Sequence, residues 1–218
     1  DYVFLSHGDL DHMNGIEELL MRQDVGVRIR NLVVPGKQYW DERILKIITL
    51  AKMYGTDVKV MEYGMELTKG EMKFTCLGPD GNPDDKSHNV TAGNESSMIL
   101  HLEYGEFDML FTGDVEKEGE ERLTEILGVI QEEKGITWEI LKTAHHGSKN
   151  STTETFLQTV HPQDAWISAG RKNRYGHPHD QTLKRLEKSG AKIYSTQNNG
   201  AVAVTVRKKT MWIHGGNS

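Results

Sequence analysis

The amino-acid sequence predicts an α/β protein, an αββα sandwich in which two sheets pack face to face with helices outside. Apolar runs of strand length alternate with longer segments whose apolar residues recur at helical spacing. Clusters of Gly, Asn and Asp punctuate them as turns. Some of the strand-like runs end in His or Asp, at strand tips where α/β proteins tend to place their chemistry.

The first element, Tyr2-Val3-Phe4-Leu5, reads as a buried strand. It enters Ser6-His7-Gly8-Asp9-Leu10-Asp11-His12, followed by Asn14-Gly15 and by Ile16 to Met21, which has helical spacing and early acidic residues. His7 and Asp9 alternate by two, and Asp11 and His12 follow where the chain bends into the helix. Fixing each ligand of a divalent metal costs conformational entropy, so a short turn carrying all four side chains suits one. The plainer alternative is a polar turn that caps the helix through Asp11 or Asn14.

Asn31 to Pro35 reads as a strand, and Trp40 to Tyr54 as a helix with Ile44, Leu45, Ile47, Ile48 and Ala51 toward a core. Val58 to Val60 and Met72 to Leu77 are expected strands, with Glu66 to Gly70 as turn chemistry between them. Gly78 to Gly93 is polar and reads as a surface loop. Met98 to Leu102 and Phe107 to Phe111 form an expected hairpin around Tyr104-Gly105-Glu106. It ends in Thr112-Gly113-Asp114, ahead of a helix from Glu116 to Leu127.

Trp138 to Lys142 reads as a strand leading into Thr143-Ala144-His145-His146-Gly147-Ser148-Lys149. Adjacent residues at a strand end point in opposite directions, so one of His145 and His146 is expected to face a metal. Ser148 and Lys149 offer a hydroxyl and a cation to a phosphate oxygen; the alternative is a polar loop opening the helix from Thr152 to Val160. Asp164 to Ser168 is a further strand, and Arg171 to His179 gathers three basic residues, an aromatic and two His before a helix from Thr182 to Lys188. The His177-Pro178-His179 step is expected to run extended and keep its two imidazoles apart, with a helix-entry loop capped by Asp180 as the plainer reading.

Composition sets outer limits. The 218 residues suit one domain, 1–218, large enough to bury a core without disulfides, and Cys76 stands alone. With 26 Lys and Arg against 32 Asp and Glu, the net charge is −6. That argues against a protein that coats nucleic acid, though not against a local site where metal ions meet phosphates. No apolar run approaches the ~20 residues of a membrane span.

Taken together, His7-x-Asp9-x-Asp11-His12, Thr112-Gly113-Asp114, Leu141-Lys142-x-x-His145-His146-Gly147-Ser148, Ile167-Ser168-x-Gly170 and Asn173-Arg174-Tyr175-Gly176-His177-Pro178-His179 resemble the metallo-β-lactamase fold. Within it they are similar to the C-terminal domain of the ComEC family, the DNA-uptake channels of competent bacteria, over roughly Val3 to Val206. The resemblance implies that Asp114 bridges two divalent ions and favours His145 as a ligand, with His146 as a supporting or substrate contact, though the two could be exchanged. The expected ligand set is His7, Asp9, Asp11, His12, Asp114 and His145, able to hold two metals ~3.5–4 Å apart.

Two departures mark this chain. Asp9 stands where a second His is usual, and Asn94 stands near the place of a third. The first metal position is therefore oxygen-rich, leaving Zn or Mn open. The resemblance implies a metal-dependent nuclease acting on DNA, single-stranded by expectation, during uptake, with no nucleotide cofactor. Asp11, His146, His177 and His179 are expected to take part in catalysis, and Asn94, Ser148, Lys149 and Arg174 to meet substrate phosphates. The family's N-terminal strands do not precede Asp1, so the chain is expected to be a fragment of a longer membrane protein, with the channel part upstream and this domain on the extracytoplasmic side. Competing readings are a hydrolase of another class, of lactonase or phosphorylcholine esterase type, and a binding module with a vestigial metal site.

Overall fold

The computed structural model of the chain describes residues 1–22, 26–79, 93–207 and 210–215; most of the polar loop expected from Gly78 to Gly93 lies outside them. The apolar runs form two main sheets. The first joins β1 (Tyr2–Phe4), β2 (Asn31–Pro35) and β3 (Asp57–Met61), all parallel. Parallel neighbours need crossovers, here α1 (Leu10–Met21) and α2 (Glu42–Met53). Met13, Ile16 and Leu20 of α1 and Ile44, Ile47, Ile48 and Ala51 of α2 pack on Leu5, Leu32 and Val34 of this sheet.

The second sheet has seven strands. In chain order these are β4 (Glu66–Lys69), β5 (Met72–Gly78), β6 (Ile99–Tyr104), β7 (Phe107–Phe111), β8 (Ile140–Lys142), β9 (Asp164–Ile167) and β10 (Lys192–Ser195). Pairing is antiparallel from β4 to β7 and parallel from β7 to β10. The parallel half is crossed by α3 (Lys117–Lys134), α4 (Glu154–Val160) and α5 (Asp180–Ser189). Their Leu123, Leu127, Phe156, Val160 and Leu186 cover Leu110, Leu141, Ala165 and Ile167.

The sheets meet through Val33 and Met61 on one side and Cys76, Met98 and Leu100 on the other, with the Phe4 and Phe74 rings 4.8 Å apart. This is the αββα arrangement the alternation predicts. After the short α6 (Thr196–Asn199), a hairpin of β11 (Val202–Arg207) and β12 (Thr210–Gly215) lays Val204, Val206 and Met211 over Phe107, Met109 and Ile140. Between the two main sheets lies a cavity of about 340 Å³, lined by Phe4, Phe74, Met98, Leu100, Phe111, Lys142 and His12 among others.

One segment corrects the sequence reading. Glu66 to Lys69 is a strand pairing with Met72 to Thr75, not a turn. The chain reverses on either side of it, at Gly64 and Gly70, whose φ values of 77° and 60° suit a residue without a Cβ. The C-terminal ends of β1, β7, β8 and β9 feed the segments 6–12, 112–114, 143–149 and 168–179, so the chemistry-bearing loops gather at one edge.

Candidate metal centre

The first turn of α1 brings two ligand types forward at once. Asp9 is the N-cap residue, but its side chain makes no capping hydrogen bond. Asp11 and His12 are therefore helical rather than caps, which sets aside the plainer reading through Asp11 or Asn14. Ser6 Oγ lies 3.1 Å from His7 Nδ1 and 3.0 Å from His12 Nδ1, so one hydroxyl orients both rings. Ser97 Oγ adds a second contact to His7 Nδ1 at 3.3 Å and accepts the Asp114 amide at 3.0 Å.

Asp114 is the centre of the cluster. It is 3% exposed at the tip of β7, with Oδ1 3.1 Å from His12 Nε2 and Oδ2 3.5 Å from His146 Nε2. His145 Nε2 stands 4.0 Å from the same Oδ2. Burial pushes the Asp114 carboxyl upward, but the adjacent His12, His146 and His7 outweigh it and hold the group well below the usual carboxylate range. Burial, then the neighbouring His12, lowers His7 below its ordinary value. Both shifts favour the protonation states a metal requires, neutral imidazole and ionised carboxylate.

Both rings of the pair lie near this centre, but of the two, His146 and not His145 is among the four residues whose ligand atoms cluster. β8 stops at Lys142, and strand alternation ends with it. His145 and His146 both adopt left-handed backbone, φ 46° and 53°, in a short turn. The Nδ1 of His146 lies 2.7 Å from the Ser168 carbonyl and donates to it, which turns Nε2 toward Asp11 Oδ2 at 3.1 Å. The Nδ1 of His145 lies 2.8 Å from Glu116 Oε1, which orients that ring in the same way. Glu116, two residues beyond Asp114, was not singled out from sequence; a carboxylate following a ligand-bearing tip was the available signal.

Left-handed backbone at consecutive non-glycine residues is costly unless its surroundings impose it. Here the loop is gripped from two helices. Glu120 of α3 is 1% exposed and accepts the Thr152 and Thr153 amides at 2.5 and 2.6 Å. Arg185 of α5 donates to the Thr152 and Ser151 carbonyls, both at 2.8 Å.

Asp11, His12, Asp114 and His146 each offer one ligand atom, all within 4.8 Å of one another. His7 Nε2, His12 Nε2 and Asp114 Oδ1 are buried without a hydrogen-bond partner, although the last two approach at 3.1 Å. Unpaired buried polar atoms are destabilising, and divalent cations bound among them would satisfy them. The residues therefore fit a metal. Asp9 is less committed: it lies 3.7 Å from His7 Nε2, and Arg43 Nη1 sits 3.3 Å from its Oδ1.

The remaining expected residues surround this core. Asn94 Nδ2 is 3.5 Å from His145 Nδ1. The His177 ring lies 5.3 Å from that of His145 and 6.3 Å from that of His146. Burial, then the neighbouring imidazoles, lowers His177. The His177 and His179 rings stand 4.8 Å apart, edge to face, rather than being held apart. Asn173 brackets the segment, accepting the His177 amide at 2.8 Å and donating to its carbonyl at 2.6 Å. His179, not Asp180, is the N-cap residue of α5, and its Nδ1 accepts the Lys149 amide at 3.2 Å. Ser148 is buried, its hydroxyl accepting the Asn150 amide inside the loop, whereas Lys149 and Arg174 are exposed at the rim.

Residues 1–171 match the metallo-beta-lactamase superfamily. ComE operon protein 3 of Bacillus subtilis is 34% identical over 202 residues, covering 93% of this chain and 24% of that protein. Recombination protein 2 of Haemophilus influenzae is 28% identical, covering 93% and 22%. Competence protein ComA of Neisseria gonorrhoeae is 33% identical over 109 residues, 50% of this chain and 15% of that one. The chain spans about a quarter of the length of the first two relatives. Among solved structures, CmlA, a diiron beta-hydroxylase from Streptomyces venezuelae, shares the fold at a TM-score of 0.57 and 14% identity, covering 88% of this chain and 43% of that chain.

Proposed function

The chain belongs to the metallo-β-lactamase superfamily, and on that premise we propose that it hydrolyses DNA phosphodiesters during DNA uptake. The observation that carries the reading is the buried Asp114 set among His7, His12 and His146, with three of the cluster's ligand atoms left unpaired. Asp11, His12, His146 and Asp114 would hold one divalent ion, and His7, Asp9 and His145 are the remaining groups that could serve a second. Three carboxylates among these ligands suit Mn²⁺ as well as Zn²⁺. A bound ion there supplies Lewis acidity toward a phosphoryl oxygen and lowers the pKa of water.

The chain's own groups supply the rest. Lys149 and Arg174 place cations at the rim, where the non-bridging oxygens of a phosphodiester would lie. Burial, then the neighbouring imidazoles, lowers His177, which disfavours it as the proton donor to the leaving oxygen. His179 accepts the Lys149 amide at Nδ1, which fixes its ring beside His177 at the cleft. The relatives support a role in competence; on the same reading this domain is part of a longer membrane protein and faces the extracytoplasmic side. Among the described residues no helix is long and apolar enough to cross a membrane.

End-labelled single-stranded DNA incubated with the chain in Mn²⁺ or Zn²⁺ tests the reading. Cleavage should depend on the metal and vanish in His12→Ala and Asp11→Ala. Turnover of a lactone or phosphorylcholine ester without DNA cleavage would assign the site to another hydrolase class. Silence under every divalent ion, with DNA still bound, would make it a binding module.

A further inference from the structure

Tyr175 is the most exposed aromatic among the described residues, at 62%, on the loop between β9 and α5. It contributes to none of the apolar clusters. Its ring is nonetheless held in a defined orientation, 26° from the plane of His177 at 5.9 Å. The His177 plane is in turn 23° from that of His146 at 6.3 Å. Three nearly aligned planes thus lead from the solvent-facing rim to a residue of the metal cluster. Arg174 stands beside the outermost ring, its guanidinium carbon 5.0 Å from the centroid and Nη2 donating to the phenol oxygen at 2.9 Å.

The loop is built before any ligand arrives. Asn173 ties Gly170 and His177 together, and Gln197 Nε2 reaches the Gly170 carbonyl at 3.2 Å. Presenting a preorganised ring avoids part of the ordering cost of binding. We infer that Tyr175 is a stacking platform for an unpaired base at the mouth of the metal cleft, with Arg174 beside it for the adjoining phosphate. The inference rests on the phosphodiesterase reading for its substrate class and deepens it. In a duplex each base already has stacked neighbours and a pairing partner, so only a single strand or frayed end can give a face to Tyr175. The platform therefore selects strand state without reading sequence.

The test is fluorescence anisotropy in EDTA with a labelled oligothymidylate of about 12 nucleotides, a duplex of equal length, and a strand of equal length lacking bases. Tyr175→Ala should weaken binding of the oligothymidylate by about 5- to 100-fold, and Tyr175→Phe, which keeps the ring, by no more than about twofold. Binding of the duplex and of the abasic strand should be the same in wild type and Tyr175→Ala. Wild-type affinity of Tyr175→Ala for the oligothymidylate would overturn the inference. So would an equal loss on the abasic strand, which would assign Tyr175 to holding its own loop. DNA cleavage by the wild type in Mn²⁺ is measured alongside. Its absence would overturn the phosphodiesterase reading, while base-dependent binding through Tyr175 would still stand.

Discussion

At the scale of single residues, Glu116 shows how the centre is held. It touches none of the four clustered groups, yet its carboxylate fixes the tautomer and orientation of His145 at 2.8 Å. Removing such a support costs a metal site about 10- to 100-fold in affinity. Glu116→Gln should therefore lower the metal retained after dialysis, read by elemental analysis, with the fold unchanged by circular dichroism. Full metal retention would show that His145 plays no part in binding. Protonation acts on the same residues. His7 and His177 are lowered from an ordinary value of about 6.5, so the folded chain binds fewer protons there than the unfolded one. Metal-free protein should thus lose thermal stability as pH falls from about 7.5 to 5.5, the window in which the unfolded histidines charge first. A melting temperature that stayed flat or rose over that window would contradict the burial of these rings.

At the scale of elements, the loop that follows the His145–His146 turn matters most, because two helices distant in sequence hold its residues Lys149 to Thr153. Glu120→Ala would strip two buried amides of their acceptor and should cost about 2–4 kcal/mol, measured by urea unfolding. A loss below about 0.5 kcal/mol would mean the loop does not need that grip. This device was invisible in the sequence, where Glu120 is one acidic residue among several on an amphipathic helix. The strand–helix alternation was legible because buried parallel strands are continuous apolar runs such as Leu32-Val33-Val34. Glu66-Leu67-Thr68-Lys69 was read as turn chemistry because an edge strand with one inward residue offers little pattern. The His and Asp positions could be read as a set from their spacing, but the direction of each ring could not. His145 and His146 lie past the strand end, where period-two reasoning stops applying.

At the scale of the molecule, the centre sits at one edge of the sandwich, on loops leaving both sheets, so a bound ion ties the two layers together. Metal at about 100 times its dissociation constant should add about 2.7 kcal/mol to stability. For a chain of this size that is about 5–10 °C in melting temperature, seen by comparing EDTA with Mn²⁺. An unchanged melting temperature would mean that no ion binds the folded chain preferentially. The net charge of −6 makes the approach of a polyanion depend on local cations, and here the exposed pair of Arg43 and Asp9 has a consequence of its own. Asp9 already has a tethered counter-ion, so a metal arriving there performs an exchange, guanidinium for divalent ion, rather than an addition. Loading of that position is then a competition the protein conducts against itself, relaxed by salt and by any phosphate that draws Arg43 away. Arg43→Ala should tighten the second, weaker step of a metal titration, opposite in sign to the losses expected from substituting the ligands around it.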